Sequence, residues 1–297
     1  MKENTRKVME TLAEQAKNIM VNGGIKCSSE SEVDRIILDY MNAKTKLISN
    51  QKRNVEFSDE LRQKISDGKF DREGVSVNEE EAKEIVKLVE FFKCKFENGE
   101  SINYHLSRQA FDSTRFDTLL NIWNIKHIHL SDRTSSSKRS MKNNRSEWLL
   151  FCIIENDTVY FLDVLNHPTN EHFTAYHFLQ VVHRNNWMNH IGFEEIKCLA
   201  PGLLITKDED IHKIYESKIN IPFEFDGKLY MSLGVASSGD KVTNSMRLIG
   251  LKKFLNNMFS QDSSEYLCIK FDSEDSLNGT LYLRESSYRL PTEDILN

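Results

Sequence analysis

The segment EWLLFCIIENDTVYFLDVL, residues 147–165, determines the fold of the middle of the chain. Two apolar runs, rich in β-branched and aromatic residues, stand on either side of Asn156-Asp157. This pattern predicts two antiparallel strands joined by a tight hairpin turn. The preceding run KHIHLS predicts another strand, and EEIKCLA is a candidate for a fourth. We therefore expect an antiparallel sheet of about four strands in this region.

Helical patterns surround this sheet. RFDTLLNIWNI before it and EHFTAYHFLQVVHRNNW after it have apolar residues at helical spacing. The first hundred residues are predicted to be helical throughout, apart from a short polar segment. The strongest helix there begins after Asn78, a capping residue, and ends at Gly99. Ser29 and Glu32 form a candidate capping box for an earlier helix.

The last third of the chain repeats the mixed pattern. It contains a predicted hairpin around Asp226-Gly227, the helical segment KVTNSMRLIGLKKFLNNMF, and two candidate paired strands, EYLCIKFD and GTLYLRES. The sequence therefore predicts an α+β fold, with a helical N-terminal region followed by antiparallel sheets and packed helices. We expect three consecutive domains: a helical region over 1–100, a histidine-rich α+β domain over 101–200 that would be catalytic, and an α+β C-terminal domain over 201–297.

Composition limits the classes of protein that the chain can belong to. Apolar residues make up 39% of it, and no apolar run approaches the roughly 18 residues of a membrane span. The five cysteines are scattered and the start of the chain lacks a signal-peptide core, so a cytoplasmic location is expected. The formal net charge of −6 argues against bulk non-specific nucleic-acid binding, so any such contact must be local.

Histidines are concentrated in the middle of the chain, where seven of the nine fall between residues 127 and 190. Alternation along a strand places His127 and His129 on one face, and His167 follows the end of the predicted hairpin. Imidazoles transfer protons near neutral pH, and cleavage of RNA without a metal needs one group to take the 2′-hydroxyl proton and another to protonate the leaving oxygen. We therefore predict that these three histidines are catalytic.

A serine-rich loop, residues 131–147, leaves directly from the His129 strand. Its basic side chains would bind phosphate and stabilise the charge of the transition state. An ordinary solvated surface loop is the alternative interpretation. The predicted nucleic-acid-binding residues are Arg133, Lys138, Arg139, Lys142 and Arg145.

Other motifs are weaker. The repeated H-x-[ST] pattern resembles that of two-histidine phosphoesterases, but Pro168 interrupts one copy. A metal bound by the H-x-H pair with Asp163 or His167 ranks below metal-free chemistry, so no metal or cofactor is predicted. GVASSGDKVT, residues 234–243, lacks the Gly-Lys-[Ser/Thr] run of a nucleotide-binding loop, although the helix start after it can bind an anion. RNNWMNH, residues 184–190, resembles the R-x(4–6)-H motif of HEPN ribonucleases, which need an all-helical bundle.

The middle third, in which a helix leads into an antiparallel sheet with basic and histidine side chains at strand ends, resembles the RelE/barnase-type ribonuclease toxins. The resemblance covers about 90 residues, rests on layout, and assigns no catalytic residue. It implies a toxin-like, metal-independent endoribonuclease of a bacterial mobile-element or phage-defence system, with RNA and an antitoxin or other regulatory protein as partners and no membrane. A non-enzymatic protein-binding module or scaffold in such a system is the alternative.

Overall fold

A computed structural model of the protein describes residues 2–29, 32–72, 74–132, 146–167, 175–197 and 210–290, with gaps in the last range at 212, 215–216, 218, 233, 237, 239, 262–263 and 285. The helices of the described residues are α1 (Glu3–Asn22), α2 (Val33–Lys46), α3 (Asp59–Asp67), α4 (Glu79–Asn98), α5 (Thr118–Trp123), α6 (Ala175–Arg184) and α7 (Val242–Gln261). The strands are β1 (Asn54–Phe57), β2 (Asp71–Arg72), β3 (Val75–Ser76), β4 (Ile125–His129), β5 (Trp148–Ile154), β6 (Thr158–Asn166), β7 (Phe193–Ile196), β8 (Phe223–Phe225), β9 (Lys228–Ser232), β10 (Tyr266–Phe271), β11 (Gly279–Leu283) and β12 (Ser287–Arg289). The predicted α+β class is confirmed.

The chain forms two compact units, and each is assembled from separate stretches of sequence. The first contains residues 1–47, 109–116 and 238–297, and the second contains 48–108 and 117–237. These units do not coincide with the consecutive regions 1–100, 101–200 and 201–297 that the sequence suggested. The apolar surfaces of α1 and α2 are buried against elements from the end of the chain, a pairing that composition along the chain does not reveal.

The first unit packs three helices against a small sheet. Val8, Leu12 and Ala16 recur at helical spacing along α1 and are fully buried, as are Leu251 and Leu255 on α7. Strands β10, β11 and β12 form an antiparallel sheet whose buried side chains join the same core. The expected capping box before α2 is wrong, because Glu32 is the N-cap residue and its side chain makes no capping hydrogen bond.

The second unit is built on a four-stranded sheet in the order β1-β6-β5-β4. The predicted hairpin is confirmed as β5 and β6, and β4 pairs antiparallel with β5. The fourth strand is β1, which runs parallel to β6 and comes from the segment expected to be a polar connection. The candidate EEIKCLA supplies β7, which belongs to a separate sheet with β9 and β8. The four residues NVEF are too short and too polar to indicate a strand by themselves.

A change of register in the hairpin determines which side chains share a face. Phe151 pairs with Asp163, whereas the next residue of β5, Cys152, pairs with Phe161. On the other edge of β5, Phe151 also pairs with His127 of β4. Side chains of directly paired residues project to the same side of a sheet, so one face carries His127, His129, Phe151 and Asp163; we call it the histidine face. Helix α6 packs on this face, with the ring centroid of Phe178 at 4.4 Å from that of Phe151.

The other face of the sheet is covered by α4, whose Phe96 ring lies 5.8 Å from the ring of Phe161. Both ends of α4 are as predicted. The Asn78 side chain accepts a hydrogen bond from the Glu81 N–H, and Gly99 ends the helix at φ 71°. The central sheet is thus buried between helices on two sides. A functional site can therefore form only at the ends of its strands or around the few polar side chains on its faces.

Candidate functional site

The three histidines predicted to be catalytic lie next to one another at one end of the histidine face. The ring centroid of His129 is 6.4 Å from that of His127 on the same strand. It is 6.2 Å from that of His167, which follows β6, and these two rings are nearly parallel at 16°. We call this arrangement the histidine row. It requires the β5–β6 hairpin, because the N–H of His167 donates to the carbonyl of Glu147 just before β5.

Exposure to solvent differs among the three histidines of the row. His127 is half-buried, His129 is 5% exposed, and His167 is exposed. Burial lowers the pKa of His127; the nearby charge of Asp117 opposes this effect, and that of His167 adds to it. The Nδ1 of His129 donates to the Ser146 carbonyl at 3.1 Å, so in the neutral imidazole the lone pair lies on Nε2. The row therefore combines an imidazole whose neutral form is favoured, that of His127, with one that is open to solvent, that of His167.

A fourth histidine, His105, is 1% exposed and packs against α4. Burial lowers its pKa to about 4, and the charges of Lys95 and His129 act in the same direction. Its ring packs edge-on against Phe92, with centroids 4.8 Å apart. His105 is thus a neutral, structural histidine rather than a proton-transfer group.

A second polar cluster lies on the histidine face. Asp163 is fully buried, and its carboxylate accepts from the Lys64 ammonium at 2.7 and 2.9 Å. It also accepts from His177 Nε2 at 2.7 Å and from the Val164 N–H at 2.7 Å. The Lys64 and His177 side chains are 28% and 34% exposed. A buried carboxylate is therefore fully hydrogen-bonded, and the two basic groups it holds reach solvent.

The elements that carry this cluster are fixed locally. Ser58 caps α3 by accepting the Leu61 N–H at 3.0 Å, and its hydroxyl donates to the Leu162 carbonyl of β6 at 2.6 Å. This double contact attaches the helix that bears Lys64 directly to the strand that bears Asp163. His177 lies near the start of α6, and the following residue, Phe178, is buried against the sheet.

The two clusters are neighbours but remain separate. His127, Phe151 and Asp163 lie in one row across three strands, which puts the first and last about 10 Å apart at a strand spacing of about 4.8 Å. The fully buried side chains of Phe151 and Phe178 lie between them. Proton-transfer groups of the histidine row therefore do not share a carboxylate with the second cluster.

Sequence reasoning identified the histidine row and missed the second cluster. The sequence suggests Asp163 only as a third metal ligand and does not single out His177. One signal was available: a charged residue inside the apolar strand YFLDVL must be paired when buried. Its partner Lys64 is 99 residues away in the chain, so the sequence did not reveal that pairing.

The structure does not test every predicted residue. The predicted phosphate-binding side chains Arg133, Lys138, Arg139, Lys142 and Arg145 lie outside the described residues. Within the described ranges, no three or more His, Cys, Asp or Glu side chains are grouped so as to hold a metal ion. No helix in that part of the chain has both the length and the apolar character needed to cross a membrane.

In two of the weaker motifs, charged side chains pair with residues outside the motif. Arg184 and His190 of the HEPN-like motif bind different carboxylates, those of Glu60 and Glu155, each at 2.9 Å. Asp240 in the glycine-containing loop is buried and accepts from Arg35 at 3.1 Å. No family model, curated protein or solved structure matches the chain, so the functional conclusion rests on the geometry above.

Proposed function

We propose that the protein is a metal-independent endoribonuclease of the toxin type, acting in the cytoplasm of a bacterium as part of a mobile-element or phage-defence system. The observation that supports the proposal is the histidine row. Three imidazoles, of which that of His167 is exposed, lie with neighbouring ring centroids 6.4 and 6.2 Å apart at one end of a sheet. In the chain, the segment with the predicted phosphate-binding side chains follows directly after the His129 strand. The layout that resembles the RelE/barnase-type toxins agrees with this assignment.

The row has the groups that the reaction needs. His129, whose lone pair lies on Nε2 when the ring is neutral, accepts the proton of the 2′-hydroxyl as that oxygen attacks phosphorus. His167, which is exposed to solvent, donates a proton to the 5′-oxygen as its bond to phosphorus breaks. The products are a 2′,3′-cyclic phosphate and a free 5′-hydroxyl. His127, with its ring centroid 6.4 Å from that of His129, supports the acid–base pair. General acid–base catalysis of this kind contributes about 10²–10⁴-fold to a rate.

The test is cleavage of a mixed RNA by the purified protein in EDTA, compared with two variants. His167→Ala removes an exposed side chain, and His129→Asn retains a donor for the Ser146 carbonyl while removing the base. The control is His183→Asn, because His183 stacks on Phe225 outside the row. We expect cleavage by the parent and the control, and a loss of about 100-fold or more in the two row variants. Equal activity in all four proteins would overturn the proposal.

One observation favours the alternative, a non-enzymatic protein-binding module. His129 is almost completely buried and donates to a backbone carbonyl, which is how purely structural histidines are held. Absence of RNA cleavage by the folded parent protein, both in EDTA and with divalent metal added, would support the module and exclude the ribonuclease.

A further inference from the structure

The cluster of Lys64, Asp163 and His177 contains two basic side chains and only one carboxylate. One carboxylate neutralises one positive charge, yet two basic groups bind it. When His177 is protonated, the cluster carries a net charge of +1. A buried ion pair is no better for stability than a well-packed apolar group of the same volume, so core packing alone does not account for this arrangement.

Hydrogen-bond donors remain available on the solvent side of the cluster. An ammonium carries three N–H groups, and the two Lys64–Asp163 contacts use at most two of them. The imidazole of His177 binds Asp163 through Nε2, so its Nδ1 lies on the far side of the ring and donates in the imidazolium form. With both side chains about one-third exposed, an oxyanion can approach both donors.

We propose that Lys64 and His177, held in place by Asp163, form a phosphate-binding subsite. The proposal rests on the proposed ribonuclease function and adds a binding position to it. The histidine row acts on the scissile phosphate. The subsite, separated from the row by Phe151 and Phe178, binds a flanking phosphate of the same RNA strand. Asp163 is a positioning residue: it fixes the two basic side chains and does not touch the ligand.

The test is a titration followed by NMR of the histidine ring protons in the full-length protein. One arm uses inorganic phosphate, and the other uses a short RNA with every 2′-hydroxyl methylated, which cannot be cleaved. We expect both ligands to shift the His177 resonance saturably. Lys64→Gln should weaken binding about tenfold or more, and Lys64→Arg should retain it. The control is Lys69→Gln, which changes a lysine that is 77% exposed and follows the end of α3; it should have no effect.

The outcomes separate this proposal from the proposed function, because neither ligand is cleaved. If phosphate leaves the His177 resonance unchanged, or binds equally well to Lys64→Gln, the subsite is refuted even when the protein cleaves RNA. If phosphate binds at His177 but the methylated RNA does not, the site takes a free phosphate ion and its assignment to RNA is wrong. If both bind there and no RNA is cleaved, the subsite stands and the ribonuclease assignment fails.

Discussion

Replacing Asp163 with asparagine tests whether the second cluster is built as described. Asparagine has nearly the same volume, but it has one acceptor oxygen, and its amide group would face the donors of Lys64 and His177. A hydrogen bond to a charged group contributes about 1.5–3 kcal/mol, and breaking a buried ion pair costs about 3–5 kcal/mol. Because both basic side chains are partly exposed and can turn toward water, we expect a loss of about 2–3 kcal/mol. At about 2–4 °C per kcal/mol, the melting temperature should fall by roughly 4–12 °C.

The assay is urea unfolding followed by tryptophan fluorescence. All three tryptophans, Trp123, Trp148 and Trp187, belong to the unit that contains Asp163, so the signal reports on the relevant unit. The matched control is Asp157→Asn on the exposed hairpin turn, which should change stability by less than about 0.5 kcal/mol. If Asp163→Asn is as stable as this control, the carboxylate does not hold Lys64 and His177 and the reasoning fails.

Three further predictions concern stability. Ser58→Ala removes both the cap of α3 and the hydrogen bond from the hydroxyl to β6. It should lower the free energy of unfolding in urea by about 2 kcal/mol, and a decrease below about 0.5 kcal/mol would contradict this. Gly99→Ala should cost more than Gly68→Ala, because both have positive φ but only the first Cβ would come within 2.9 Å of backbone atoms; equal melting temperatures would contradict this. Burial lowers the pKa of His105 to about 4 in the folded protein, so on acidification the unfolded chain takes up a proton at this histidine at a higher pH than the folded protein does. Stability should therefore fall as the pH drops from about 6.5 to about 4. His105→Leu should reduce this loss, and an unchanged pH profile would refute it.

Local signals explain what the sequence could predict. Asn78 and Gly99 define α4 through capping chemistry that is complete within the helix and its ends. The β5–β6 hairpin follows from two apolar runs and a two-residue turn. The histidine row could be anticipated because strand alternation puts His127 and His129 on one side, and the hairpin returns His167 to the same end of the sheet.

Other features depend on contacts between distant parts of the chain. Strand β1 has four residues and becomes a strand by pairing with β6, about a hundred residues later. The Lys64–Asp163 ion pair is equally non-local, since α3 reaches the sheet through the Ser58 contact with β6. The division into two units has the same origin: helices at the start of the chain bury their apolar faces against elements at its end.

The most direct test of the central claim is end-group analysis of the RNA fragments that the protein releases in EDTA. Attack by the 2′-oxygen, assisted by the histidine row, predicts fragments with 2′,3′-cyclic phosphate and 5′-hydroxyl ends. His167→Ala should release fewer of them, by about 100-fold or more. It also predicts that a substrate with a single ribonucleotide among 2′-O-methyl nucleotides is cut only after that position. Fragments with 3′-hydroxyl and 5′-phosphate ends, or cyclic-phosphate ends formed equally by His167→Ala, would contradict the assignment of the reaction to these histidines.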